Sequence, residues 1–215
     1  MNNDPNDSAA NVFQFAVAIS GGGTTLRNLI EWQQAGKLKA KIGLVISSNH
    51  QAAGLQFAKQ AGIETAIFDY REFKTAASIS DVMFDACRKR KMPLLAMGGF
   101  LRKVLIPPDF RNRVINIHPS LIPAYCGKGM YGMRVHRAVI ENGSAISGCT
   151  VHFVDDQFDH GPIVAQESVP VEQLTAEELQ KRVFEKECQL YPQVINAIAE
   201  GRVNVVGELV SVKPS

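Results

Sequence analysis

Through residue 118 the chain alternates two kinds of segment, and this rhythm constrains its fold more than anything else in it. Apolar runs of strand length fall at 13–19, 42–46, 65–68, 94–97 and 113–117. Between them lie segments with apolar residues at helical spacing: 25–34, with Leu26, Leu29 and Ile30 on one face, then 54–61, then a helix capped by Ser80 and running to about residue 90. Strands alternating with helices imply parallel neighbours joined by crossovers, and hence a doubly wound α/β sheet with helices on both faces. Such sheets bind ligands beyond the carboxyl ends of their strands.

After residue 118 the pattern changes. Residues 121–131, with Pro123, Gly127 and Gly129, read as a loop, and 133–141 as a helix. Residues 148–154 and 163–169 alternate like paired antiparallel strands, joined by an acidic turn holding Asp155, Asp156 and Asp159. Residues 176–198 read as a long amphipathic helix, and 203–212 as a late strand or strap. There is no internal repeat or low-complexity linker. One catalytic-size domain is therefore expected over residues 13–201, with a C-terminal extension over 202–215. Residues 1–12 are rich in Asn, Asp, Ser and Ala and lack the basic and apolar regions of a signal peptide, so a disordered tail is expected there.

Charge and cysteine content narrow the function. A net charge of +2 gives no global field to attract nucleic acid or a membrane surface, and no apolar run nears the length of a membrane span. The basic run Arg88-Lys89-Arg90-Lys91 reads as a solvated helix end. The four cysteines, Cys87, Cys126, Cys149 and Cys188, show no C-x-x-C spacing, so neither a zinc site nor a redox motif is expected. Free thiols suit a reducing, cytoplasmic setting.

Three motifs carry chemistry. Ser20-Gly21-Gly22-Gly23-Thr24-Thr25 joins the first strand to the first helix. It is either a tight turn or a cradle for one phosphate, because glycine backbone and a helix start offer free N–H groups. It lacks both the G-K-[ST] ending of a P-loop and the third glycine of a dinucleotide fingerprint. Asn116-Ile117-His118-Pro119-Ser120 closes the fifth strand. Strand alternation puts Asn116 and His118 on one side. They either satisfy local hydrogen bonds or present an amide and an imidazole to a ligand. Asp159-His160-Gly161-Pro162 ends the acidic loop in a rigid turn, either a solvated hairpin tip or a carboxylate held for use. Its spacing matches no standard metal pattern, and no metal is expected. His152 lies inside a strand, where a histidine is most often a satisfied core residue, and His136 and His50 receive no primary role. No G-x-S-x-G elbow offers a nucleophile. The set therefore suits direct attack by a substrate nucleophile on a carbonyl carbon, with Asn and His stabilising the oxyanion and a carboxylate managing protons.

The stretches ISGGGTTL (19–26), GFLR (99–102), NIHPSLIP (116–123), GCTVHFV (148–154) and DHGP (159–162) together resemble the folate-dependent formyltransferases, and among them the branch acting on glycinamide ribonucleotide. The likeness covers about residues 13–201. It implies small-molecule substrates, with 10-formyltetrahydrofolate as co-substrate and no metal, in a monomer or homodimer. Gly23, Thr24 and Thr25 would hold the substrate phosphate and Glu187 the ribose hydroxyls. Leu101, Arg102, Lys103 and Val104, with Asn116 and with Asp155, Asp156, Gln157, Phe158 and Asp159, would line the folate site. Asn116 and His118 would polarise the formyl group, Asp159 would raise the basicity of His118, and His152 and Ser120 would support them. Thr25 stands where the family often has Asn, and Gly22 where a side chain is common. Ala76 stands where bacterial relatives carry an Arg near the folate tail, which leaves Lys74 as the nearby cation. The longer loop 125–132 suits a mobile cover.

Three rivals share parts of this pattern. A formyl hydrolase would use the same Asn/His/Asp set but is expected to carry a further N-terminal domain. A transformylase for aminoacyl-tRNA is expected to carry a further C-terminal one. A non-catalytic phosphate-binding module would need the glycine turn alone.

Overall fold

The computed structural model describes residues 12–214, so the expected tail lies outside the described residues apart from Val12. Strand β1 (Gln14–Ile19) is buried at every residue but the first, as a strand covered on both faces must be. It pairs in parallel with β2 (Lys41–Ser47) and with β4 (Leu95–Met97). Strand β3 (Thr65–Ile67) adds outside β2, and β5 (Val114–His118) outside β4, again in parallel. Then β6 (Ile146–Phe153) and β7 (Ile163–Pro170) pair antiparallel, completing a seven-stranded sheet of order β3-β2-β1-β4-β5-β6-β7. The crossover helices are α1 (Thr24–Gln34), α2 (Gly54–Gln60) and α3 (Ala76–Lys89), followed by α4 (Met133–Glu141) and α5 (Ala176–Ala199).

Alternation along β1 divides the core in two. Phe15, Val17 and Ile19 join Leu26, Leu29, Leu179 and Val183 on the α1/α5 face; Ala16 and Ala18 join Ile79, Met83 and Phe84 on the α3 face. Buried Tyr191 ties α5 to the sheet, its hydroxyl reaching the Met97 carbonyl at 2.9 Å and the Ile115 carbonyl at 3.2 Å. That anchor sets the rotation of α5, so Gln180, Phe184 and Glu187, spaced at i, i+4 and i+7, share the face above the strand ends.

Two local expectations are corrected. Helix α3 starts at Ala76 under a Thr75/Ser78 capping box, and Ser80 lies inside it. The Thr75 hydroxyl accepts from the Ser78 N–H, so the earlier residue wins the helix start, while Ser80 Oγ donates to the Ala76 carbonyl and accepts from the Leu105 N–H. The basic end of α3 is not simply solvated: Arg88 bonds Asp85 and Asp109, and Arg90 bonds Glu64. Residues 203–212 form a hairpin, β8 (Val203–Val206) and β9 (Leu209–Val212), with β9 against β7. Among the described residues, no helix is long and apolar enough to cross a membrane.

Candidate active site

The glycine turn is shaped by crowding from below. Gly23 has φ +71°, and a Cβ there would come within 2.5 Å of the Gly54 Cα, where α2 begins. The Gly54 N–H donates to the Gly21 carbonyl at 3.1 Å, so the two helix starts are laced together. Ser20 Oγ lies 2.8 Å from Ser48 Oγ and accepts from the Leu101 N–H at 3.0 Å, tying the ends of β1 and β2 to the loop after β4. Helix α1 then starts at Thr24 with no side-chain cap, leaving its first N–H groups for an anion.

Asn116 and His118 project from the carboxyl end of β5 as the alternation requires. Antiparallel pairing sets Asn116 opposite His152 on β6, and Asn116 Nδ2 lies 3.2 Å from His152 Nε2. His152 Nδ1 donates to the Phe153 carbonyl at 2.8 Å, so Nε2 is the acceptor and receives an Asn116 N–H. Burial lowers the His152 pKa, in keeping with this neutral tautomer. The Asn116 amide is thereby oriented with its second N–H free. His118 is 3% exposed. Its Nε2 donates to the Tyr125 carbonyl at 2.9 Å, and its Nδ1 faces Asp159 Oδ2 at 3.5 Å. Asp159 Oδ2 also accepts from the Gly127 N–H at 2.9 Å, and Oδ1 lies 3.9 Å from His152 Nε2. Tyr125 and Asp159 both hold left-handed backbone, φ 52° each, a conformation costly for residues with a Cβ. Ser120 is fully buried and supports the strand end by donating to the Ala124 carbonyl at 2.6 Å.

A cleft of about 590 Å³ opens among these groups; Gly23, Ser120 and His152 stand behind its wall, and His152 lines the recess beside it. Thr24, Thr25 and Glu187 lie in its wall, Asn116, His118 and Asp159 line it too, and residues 127–132 form a further side. Burial pushes the Glu187 carboxyl up to about 7. A narrower recess of about 70 Å³ shares Phe100, Asn116, Phe158 and Asp159 with the cleft. Met97, Val104 and Val154 give it apolar walls, and Arg102, Lys103, Asp155, Asp156 and Gln157 a polar edge. Leu101, expected beside these, lines the larger cleft and is 54% exposed; Gly99, two residues before it, is left-handed. Lys74 is exposed and lines neither space. His136, given no role by its sequence context, lines the main cleft, as do Gln180, Lys181 and Phe184. The helical stripe 180/184/187 was the signal that could have found the last group. Nothing local marked His136. Among the described residues, no group of His, Cys, Asp and Glu could hold a metal ion.

An amide, an imidazole and a carboxylate meet at the strand ends of a doubly wound sheet, beside an uncapped helix start, and these are groups that acyl-transfer enzymes use. The sequence model of the formyl transferase family matches residues 13–195, and the chain belongs to that family. Within it, the chain groups with the phosphoribosylglycinamide formyltransferases. It is 38% identical to the Haemophilus influenzae phosphoribosylglycinamide formyltransferase, over 91% of this chain and 92% of that one. It is 38% identical to the chloroplastic phosphoribosylglycinamide formyltransferase of Vigna unguiculata over 88% of this chain, which spans 62% of that protein's length. The crystal structure of glycinamide ribonucleotide transformylase 1 from Symbiobacterium toebii superposes with a TM-score of 0.86 at 33% identity, covering 94% of each chain.

Proposed function

We propose that residues 13–201 transfer the formyl group of 10-formyltetrahydrofolate to the amine of glycinamide ribonucleotide, a step of purine synthesis. The observation that carries this is the approach of His118 Nδ1 to Asp159 Oδ2, 3.5 Å, in a cleft also lined by Thr24, Thr25 and Glu187. The Gly23–Thr25 turn would bind the phosphate and Glu187 the ribose hydroxyls. The recess would take the folate ring, offering apolar walls to its faces and carboxylates and an amide to its N–H edge. The co-substrate supplies the electrophilic formyl carbon there.

The chain's own groups then do three things. The free Asn116 N–H and the protonated His118 ring hold the formyl oxygen, and they gain strength as negative charge develops on it. The loose 3.5 Å contact leaves the His118 Nδ1 proton available to both Asp159 and that oxygen. Asp159 balances the imidazolium charge and accepts the proton shed by the attacking amine. The amine nitrogen bonds to the formyl carbon, the carbonyl electron pair moves to oxygen, and collapse breaks the bond to the folate N10, which leaves with a proton. Water is kept out by residues 127–132, latched through the Gly127 N–H to Asp159. We place the enzyme in the cytoplasm as a monomer or homodimer without nucleic-acid or membrane partners, on its small net charge and four free cysteines.

The test is to follow folate absorbance with and without the ribonucleotide. Turnover that requires glycinamide ribonucleotide supports the proposal. Equal turnover without it makes the protein a hydrolase, and phosphate-ligand binding with no turnover makes it a binding module.

A further inference from the structure

The cleft wall holds a third imidazole that none of these steps uses. His136 lies in the first half of α4, four residues beyond Gly132 at the end of the cover segment. It lines the main cleft with Thr24, Thr25, His118 and Glu187, and it is absent from the walls of the recess. It therefore faces the space that Thr24, Thr25 and Glu187, the groups assigned to the ribonucleotide, also wall.

Its bonding sets it apart from its neighbours. His118 and His152 each hydrogen-bond through the ring to a backbone carbonyl. His136 is 2% exposed, and its Nδ1 is buried with no partner. Burial, and then the charge of His118, push its pKa down to about 4, so the ring stays neutral near pH 7. A neutral imidazole carries one donor and one acceptor. An unmatched buried nitrogen is costly to folding, and in the wall of a cleft a bound ligand can complete it.

We propose that His136 is a substrate-positioning residue, hydrogen-bonding the glycinamide arm of the acceptor and aiming its amine at the formyl carbon held by Asn116 and His118. This rests on the formyltransferase reading of the same site. The glycinamide arm offers amide N–H, carbonyl and amine groups, which match a ring able to donate and accept. A turn about the Cβ–Cγ bond exchanges Nδ1 with a carbon edge, so either nitrogen can meet the ligand. Neutrality matters because a second imidazolium would repel both the charged His118 and a protonated amine.

The test compares His136→Phe with His136→Asn and His136→Gln, whose amides stand in for Nδ1 and Nε2. The phenyl ring keeps the bulk and removes the unmatched nitrogen. For His136→Phe, Tm should equal or exceed that of the parent, and KM for 10-formyltetrahydrofolate should hold. kcat/KM for the ribonucleotide should fall about 10–100-fold, the loss expected for one or two hydrogen bonds to a bound substrate. One of the two amide variants should regain most of it. Wild-type kcat/KM in His136→Phe, or activity lost only in step with Tm and not regained by either amide, overturns the proposal. A readout on the unaltered enzyme covers the case in which the variants do not fold: ribonucleotide alone should shift the ring ¹⁵N resonances of His136, and resonances unmoved at saturation overturn it. If the parent fails to turn over the ribonucleotide, the formyltransferase reading falls and this inference with it; an active parent with a fully active His136→Phe sinks the inference alone.

Discussion

The two ends of the cleft are built by different means. The phosphate end is backbone: consecutive residues 20–25, a left-handed Gly23 pressed against Gly54, and the uncapped start of α1. The reacting end is side chain: Asn116 and His118 from β5, His152 from β6 across the pairing, and Asp159 from a loop after β6, with the Tyr125 carbonyl of the cover completing it. The first end is set by local geometry in the parallel half. The second exists only once β6 has paired antiparallel with β5. Even its loop is clamped by a tertiary contact, since a Cβ at Gly161 would come within 2.1 Å of the Phe153 carbonyl oxygen. The phosphate end should therefore tolerate loss of a side chain and suffer from an added Cβ at Gly23, whereas the reacting end should lose its activity with its side chains.

The largest expected effect is at the reacting end. Asp159→Asn keeps the shape and an acceptor for Gly127 but removes the charge beside His118. kcat should fall by about 10²–10³, with the Kd for ribonucleotide changed less than about two-fold. A near-normal kcat would remove Asp159 from its assigned role. Second is Gly23→Ala, which adds a Cβ at φ +71° and 2.5 Å from Gly54. It should lower stability by about 1–3 kcal/mol in denaturant titrations and weaken ribonucleotide binding. A fully stable, fully binding variant would break the contrast between the two ends.

The smallest effect is a pH slope. In the unliganded fold Glu187 keeps its proton up to about 7, against an ordinary value of 4.5. Its contribution to folding is therefore greatest below 4.5 and declines as pH rises through 7, because the unfolded chain sheds the proton first. Ribose hydroxyls donate to the ionised carboxylate, so binding should release a proton. Affinity for ribonucleotide alone should rise toward pH 7 and level above it, by less than about tenfold per pH unit. Glu187→Gln should flatten the slope; an unchanged slope would move the titrating group elsewhere.

Legibility in the sequence followed the same division. Apolar runs and glycine punctuation located all seven strands of the large sheet, because buried parallel strands must be apolar throughout and antiparallel ones must alternate. The Asn116/His118 pair was visible for the same reason, since strand period dictates a shared side. The start of α3 was not, because Thr75 and Ser80 are both competent caps and only the Ser78 box distinguishes them. The directions of Leu101 and His136 were not legible, because they depend on backbone and packing outside their own segments. The tautomer of His152 likewise needs the Phe153 carbonyl and the Asn116 amide together, and its neutral state needs the burial that only the fold supplies.

A double-mutant cycle on His118→Ala and Asp159→Asn, read as single-turnover formyl transfer with both substrates bound, tests directly whether the two groups act as one unit on one carbon. Cooperating groups predict a double variant about as slow as the slower single variant. Rate losses that multiply would mean that His118 and Asp159 act independently and would contradict the shared site.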